Sequence, residues 1–185
     1  VENLFWLGRY SERFDDSARM LRVALSKVVV GGGQKTTVVV SAMELARHLG
    51  VLPKIGEDTE IKKNSEHELL EAIYDPDQPG SLAGNIRNLM WSATHVRERL
   101  SLDHWHSLNR IQRYQQAARK VHPTLTEAIA FLDRVLSVSS SLTGFAMDNM
   151  TRDDGWRFLV IGRRMERLSF LAMTVTHFLR MPSTR

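Results

Sequence analysis

The apolar positions at the start of the chain step forward by threes and fours: Leu4, Leu7, then Ser11 in register, Phe14, Ala18, Leu21, Leu25 and Val28. A helix of 3.6 residues per turn gathers such positions into one stripe, so this stretch predicts a long amphipathic helix. Gly31-Gly32-Gly33 ends it. The runs Val28 to Val30 and Thr36 to Val40 would suit a β-hairpin, but Val38, Ala42, Leu45, Ala46 and Leu49 keep helical spacing and favour a second helix. Residues 50–64 turn polar, with Pro53 and Gly56, and read as a surface loop. Ser65 and Glu68 have capping-box spacing for a short helix through Tyr74. Asp75-Pro76-Asp77-Gln78-Pro79-Gly80-Ser81 is a strong turn, with Ser81 placed to cap a helix towards Leu100. Ser101 is placed to cap the next, towards Lys120. Pro123 suits the first turn of another, reaching about Asn149, and Thr151-Arg152-Asp153-Asp154 opens the last.

The sum is an all-α, mainly antiparallel bundle of about seven helices with short connections. Its 185 residues, 43% hydrophobic, suffice for a single core and one domain over 1–185. The chain opens at Val1 and stops about four helical turns after its last motif, which reads as a fragment of a longer polypeptide. A net charge of +4 is too mild to argue for nucleic acid. The absence of cysteine excludes disulfides and thiolate chemistry and fits a reducing cytoplasm. No apolar run approaches the ~20 residues of a membrane span.

One pattern occurs twice. Leu4-Phe5-Trp6-Leu7 leads into Gly8-Arg9-Tyr10-Ser11-Glu12-Arg13, and Phe158-Leu159-Val160-Ile161 leads into Gly162-Arg163-Arg164-Met165-Glu166-Arg167. Four apolar residues precede G-R-x-x-E-R both times, as in an internal repeat, and the two E-R helices are expected to pack near the bundle centre. On the first helix Arg9, Glu12, Arg13 and Asp16 share the face opposite the apolar stripe, together with Phe5, Met20 and Val23. The last helix carries apolar residues almost all round, the pattern of a buried helix, with Arg163, Glu166 and Arg167 in its midst. That pattern places Glu166 in the drier setting and makes it the costlier glutamate to remove. Buried charges need partners. The favoured reading is a paired network in which Glu12 and Glu166 accept from arginines across a pseudo-twofold axis. The alternative is a cleft for a carboxylate or phosphate.

Other candidates carry less. His104-Trp105-His106 lacks metal-ligand spacing, so Trp105 reads as an interface anchor with both histidines at its polar margin, and no metal or cofactor is expected. The glycine loop before Gln34-Lys35 lacks the order of a phosphate loop. Arg110, Arg113, Arg119 and Lys120 read as a solvated basic face.

These motifs, with the Asp75-to-Ser81 turn, Arg97-Glu98-Arg99-Leu100-Ser101, Trp105, Leu108-Asn109 and the stretch Met150 to Leu159, resemble the alpha-E domain over nearly the whole chain. Where that family tends to have a polar R-E-N-A-R stretch, this sequence has Met90-Trp91-Ser92-Ala93-Thr94. The resemblance implies partners, since alpha-E proteins are encoded beside, or fused to, a circularly permuted ATP-grasp enzyme and a transglutaminase-like protein that act on peptide amide bonds. The expected role is a non-catalytic accessory or substrate-presenting module for the ATP-grasp partner. An enzyme acting on a peptide or amide through the Arg/Glu cluster is the second reading, and an anion or nucleic-acid binder the third. Self-association is expected through the last helix, at Phe170, Met173, Phe178 and Met181.

Overall fold

The computed structural model describes residues 2–32, 34, 36–54, 64–119 and 123–180. Among the described residues are seven α-helices: α1 Glu2–Val30, α2 Thr37–His48, α3 Ser65–Tyr74, α4 Leu82–Thr94, α5 Leu102–Arg119, α6 Leu125–Asp148 and α7 Asp154–Arg180. No strand occurs among them, so the valine runs flanking the glycine loop are helical on both sides.

Side-chain caps fix most of the helix starts. Ser81 Oγ accepts from the Gly84 N–H and opens α4, and Thr124 with Glu127 forms a complete capping box on α6. Three expected boundaries differ. The cap of α3 is Asn64, whose side chain takes the Glu66 N–H, because Asn one position earlier already fills the capping role. Pro123 precedes α6 rather than lying in its first turn, since Thr124 is the cap. The helix expected to reach Leu100 stops at Thr94, where Thr94 Oγ1 donates to the Met90 carbonyl and the His95 ring meets that of Trp91. One turn of 3₁₀ helix, Arg97–Arg99, then leads into α5.

The stripe Leu4, Leu7, Phe14, Ala18, Leu21, Leu25 and Val28 is buried, and α1 is the hub of the core. Two helices cross it in the opposite sense: Ser17 on α1 meets Asn85 on α4, while Arg22 pairs with Asp133 early on α6 and Leu7 lies near Ala146 late on it. By contrast α7 runs beside α1 in the same sense, with Leu4 against Gly155, Gly8 against Leu159 and Arg13 against Glu166. The E-R pair is thus a parallel pair within a mainly antiparallel bundle.

Glycine permits that pair. A Cβ on Gly8 would lie 2.1 Å from the Leu159 carbonyl oxygen, and one on Gly162 would lie 2.3 Å from that of Phe5. The two contacts are reciprocal at the spacing of the two motifs, and each brings backbone against backbone.

The remainder of α7 departs from expectation. It is not buried all round: Gly155, Leu159, Gly162 and Glu166 are its buried residues, and they are the ones that face α1. Phe158, Ile161, Met165, Leu168, Leu171, Val175, Phe178 and Leu179 are exposed.

Candidate functional site

The motif side chains meet where α1 and α7 cross. Arg9 Nε donates to Glu166 Oε2 at 2.6 Å, and Arg13 donates through Nε at 2.5 Å and Nη2 at 3.0 Å to its two oxygens. In the other direction, Nε and Nη2 of Arg163 both donate to Glu12 Oε2 at 3.1 Å, and Arg167 donates to Oε1. Each glutamate on one helix therefore accepts from both motif arginines of the other. Planar guanidinium forks suit this exchange, which fixes the register of two parallel helices.

The two halves of the lattice are not equally dry. The Glu12 side chain is 2% exposed against 11% for Glu166, which reverses the expectation that Glu166 has the drier setting. The cause lies in the open face of α7 and in α6, from which Thr143 closes over the Glu12 half and accepts from Arg163 Nη2 at 3.0 Å. Burial raises the pKa of Glu166, but the Arg13 and Arg9 hydrogen bonds and charges outweigh it and bring the carboxyl below its ordinary value. Aromatic faces steady the outer arginines: Arg9 lies over the Phe5 and Trp6 rings at 6.0 and 5.8 Å, and Arg13 over Tyr10 at 5.6 Å.

Beside the Glu166 half opens a cleft of about 520 Å³, within the usual size range of a small-ligand site. It is walled by Arg9, Arg13 and Asp16 of α1, Glu166, Ser169 and Phe170 of α7, the start of α4, and the loop from Pro76 to Ser81. Gly80, at a φ of +79°, brings that loop so close to Gly50 that a Cβ there would sit 1.9 Å from the Gly50 carbonyl oxygen. Asp16 belongs to the cleft and not to the ion-pair lattice. Burial, then the charges of Glu12 and Asp15, push its carboxyl up to about 7, with Arg167 acting the other way.

Other sequence candidates disperse. His104 is buried and not at a polar margin; burial and then the Arg163 charge lower its pKa to about 4. Trp105 is half-buried under the Arg97 guanidinium, 4.9 Å from its ring, while His106 is exposed. No group of three or more metal-ligating side chains comes together among the described residues. Arg110 and Arg113 are exposed, and Lys120 lies outside the described residues. Of the self-association candidates, Phe178 is exposed, Phe170 and Met173 are half-buried, and Met181 lies outside the described residues. In the Met90-to-Thr94 stretch, Met90, Ser92 and Ala93 are buried, and Trp91 lies outside with its ring tilted against that of His95 at 4.2 Å. Sequence reading missed Thr143 and Gln78, the first hidden in a serine-rich helix and the second in a segment legible only as a turn.

Fold and site together define an all-α bundle whose first and last helices are cross-clamped by arginine–glutamate pairs. The chain belongs to the Alpha-E family, described as a predicted alpha-helical domain with a conserved ER motif, which matches residues 1–185. It is also similar to uncharacterised proteins of Mycobacterium tuberculosis (strain ATCC 25618 / H37Rv) and Mycobacterium bovis, 32% identical over 183 residues in each case. Those matches cover 90% of this chain and 20% of the relatives, so the chain spans about a fifth of their length. No solved structure matches it. No helix among the described residues is long and apolar enough to cross a membrane.

Proposed function

We propose that this chain is a non-catalytic accessory module that docks through α7 onto an ATP-grasp peptide-ligase-type partner, with a transglutaminase-like protein in the same system. The carrying observation is the exposed seam Phe158, Ile161, Met165, Leu168, Ala172, Val175 and Leu179. Its steps alternate three and four over the whole helix, the pattern that lets one helix seat against others. At the spacing of the two motifs, Phe158, Ile161, Leu168, Val175 and Leu179 correspond to Leu4, Leu7, Phe14, Leu21 and Leu25 of α1. Those five are all buried within the bundle. Read as a repeat, the α7 seam calls for the same kind of cover, a helical surface. An apolar stripe of this length is more than scattered exposed residues on a monomer.

The lattice chemistry supports the non-catalytic part of the reading. A carboxylate held by two arginines has its charged form favoured, so it is a poor general acid and a weak base at neutral pH. Amide-bond chemistry also needs an activated nucleophile, a metal or a bound nucleotide with magnesium, which the reading assigns to the partner.

The test is binding of the purified chain to a circularly permuted ATP-grasp protein, compared with Leu168→Glu and Val175→Glu. Binding that both variants abolish is the expected result. Unchanged binding removes α7 as the interface. Turnover of ATP or a peptide by the chain alone, lost in Glu12→Gln or Glu166→Gln without unfolding, would replace the accessory reading with an enzyme.

A further inference from the structure

The cleft beside the lattice contains hydrogen-bonding capacity that the protein leaves unused. Asp16 Oδ2 on α1 is buried and accepts no hydrogen bond, and on the loop wall the Gln78 amide nitrogen is buried and donates none. A buried polar atom without a partner loses the hydrogen bonds it had with water and regains none in the fold. Both atoms belong to residues that wall the same opening, so a turn of each side chain offers an unfilled acceptor and an unfilled donor to a ligand that carries both functions.

Arginine supplies a third element. Arg9 gives Glu166 only its Nε, and Arg13 gives it Nε and Nη2. The remaining guanidinium nitrogens of both make no hydrogen bond among the described residues, although the Phe5, Trp6 and Tyr10 rings hold the planes in place. Two guanidiniums against the Glu166 carboxylate leave a single positive charge while Asp16, whose carboxyl is pushed up to about 7, holds its proton. The other charged pair in the wall, Arg87 with Asp77 at 3.3 Å, is already matched.

That balance selects the ligand. A phosphate dianion would overfill one positive charge and crowd the Asp16 carboxyl. One carboxylate, with an amide N–H and a carbonyl next to it, meets every unfilled group. We propose that the cleft binds the C-terminal end of a peptide, with its carboxylate on Arg9 and Arg13, its last amide N–H on Asp16 and its preceding carbonyl on Gln78. Free amino acids share part of this chemistry but lack the amide between the two ends. The site is separate from the α7 seam and operates on this chain alone, so its failure would leave the docking reading intact.

The experiment is calorimetric titration of the 185-residue chain with tri-alanine. One-to-one binding is expected, weakened about tenfold or more when the same peptide carries a C-terminal amide, the loss expected for a charge-assisted hydrogen bond. Asp16→Ala and Gln78→Ala should each weaken tri-alanine binding several-fold while still melting cooperatively. Four results would each overturn the proposal: no binding of tri-alanine, equal affinity for its amide, affinity untouched by both substitutions, or tighter binding of inorganic phosphate. Free alanine binding as tightly as tri-alanine would reassign the cleft to amino acids and equally overturn the peptide assignment.

Discussion

At the scale of single residues, the two motif glutamates look interchangeable in sequence and differ in surroundings. Glu12, sealed under α6, should cost more to remove: Glu12→Ala strips the ion-pair partner from Arg163, 12% exposed, on the order of 3–5 kcal/mol for a broken buried pair, while Arg9 and Arg13, at 24% and 37%, can turn to water after Glu166→Ala, as Arg167 can at 48% after Glu12→Ala. Urea unfolding of both variants checks the order, and equal losses would contradict it. Asp16 carries a pH signature. Its folded-state pKa of about 7 lies above the ordinary 3.8, so its contribution to stability is full below about pH 4 and disappears as the pH rises through 7. Asp16→Asn should therefore melt above the parent at pH 8, with the gap closing towards pH 4. His104 works in the other direction, since its folded pKa of about 4 lies below the ordinary 6.5. Its contribution is full above pH 6.5 and is lost as the pH falls towards 4. Melting curves of the parent and Asp16→Asn at pH 4, 6 and 8 separate the two effects.

At the scale of elements, glycine has opposite meanings in different helices. Gly8 and Gly162 let α1 and α7 approach backbone to backbone, so Gly8→Ala must push the helices apart and strain the hydrogen bonds of the four lattice arginines. A loss of about 1–3 kcal/mol or more is expected from overpacking. Gly144 in α6 meets nothing within 4 Å of a built Cβ, so Gly144→Ala should gain up to about 1 kcal/mol from helix propensity. Thermal melts of the two variants should move in opposite directions, and a neutral Gly8→Ala would show that the contact relaxes without cost. Element ends follow the same local logic. Asp153 accepts the Trp156 N–H at the start of α7 and binds Arg99, and those two contacts, in that order, lower its pKa.

At the scale of the whole molecule, the bundle is closed around α1 and open along α7. Leu168 is 70% exposed and Leu179 81%, so replacing seam residues removes little packing. Leu168→Glu should leave the unfolding free energy within about 0.5 kcal/mol of the parent's, the usual range for exposed positions. In sedimentation the parent should associate through the seam with rising concentration, and Leu168→Glu should remain monomeric. A parent that stays monomeric at all concentrations would confine the seam to a different partner.

Local signals determined the helices. The three-four steps of α1 and the Ser81 cap depend on neighbours within a turn or two, so a single sequence contains all that is needed to read them; the Thr124–Glu127 box is equally local, although Pro123 beside it reads as the first turn. The chemical content of the site was legible for a related reason. Two glutamates spaced among arginines at the same interval on two helices favour pairing wherever those helices meet. Which arginine serves which glutamate, and which half is drier, required the crossing of α1 and α7, residues more than 150 positions apart. The exposure of α7 was illegible because periodicity reports how many faces a helix offers, not how many are covered. The cleft was equally out of reach: Asp16 and Gln78 become neighbours of one opening only when the 76–81 turn folds back over the start of α4 and against Gly50. Hydrophobic spacing is local and survives in one dimension, whereas solvent access at a residue is set by every chain segment that passes near it, and tertiary packing alone decides that.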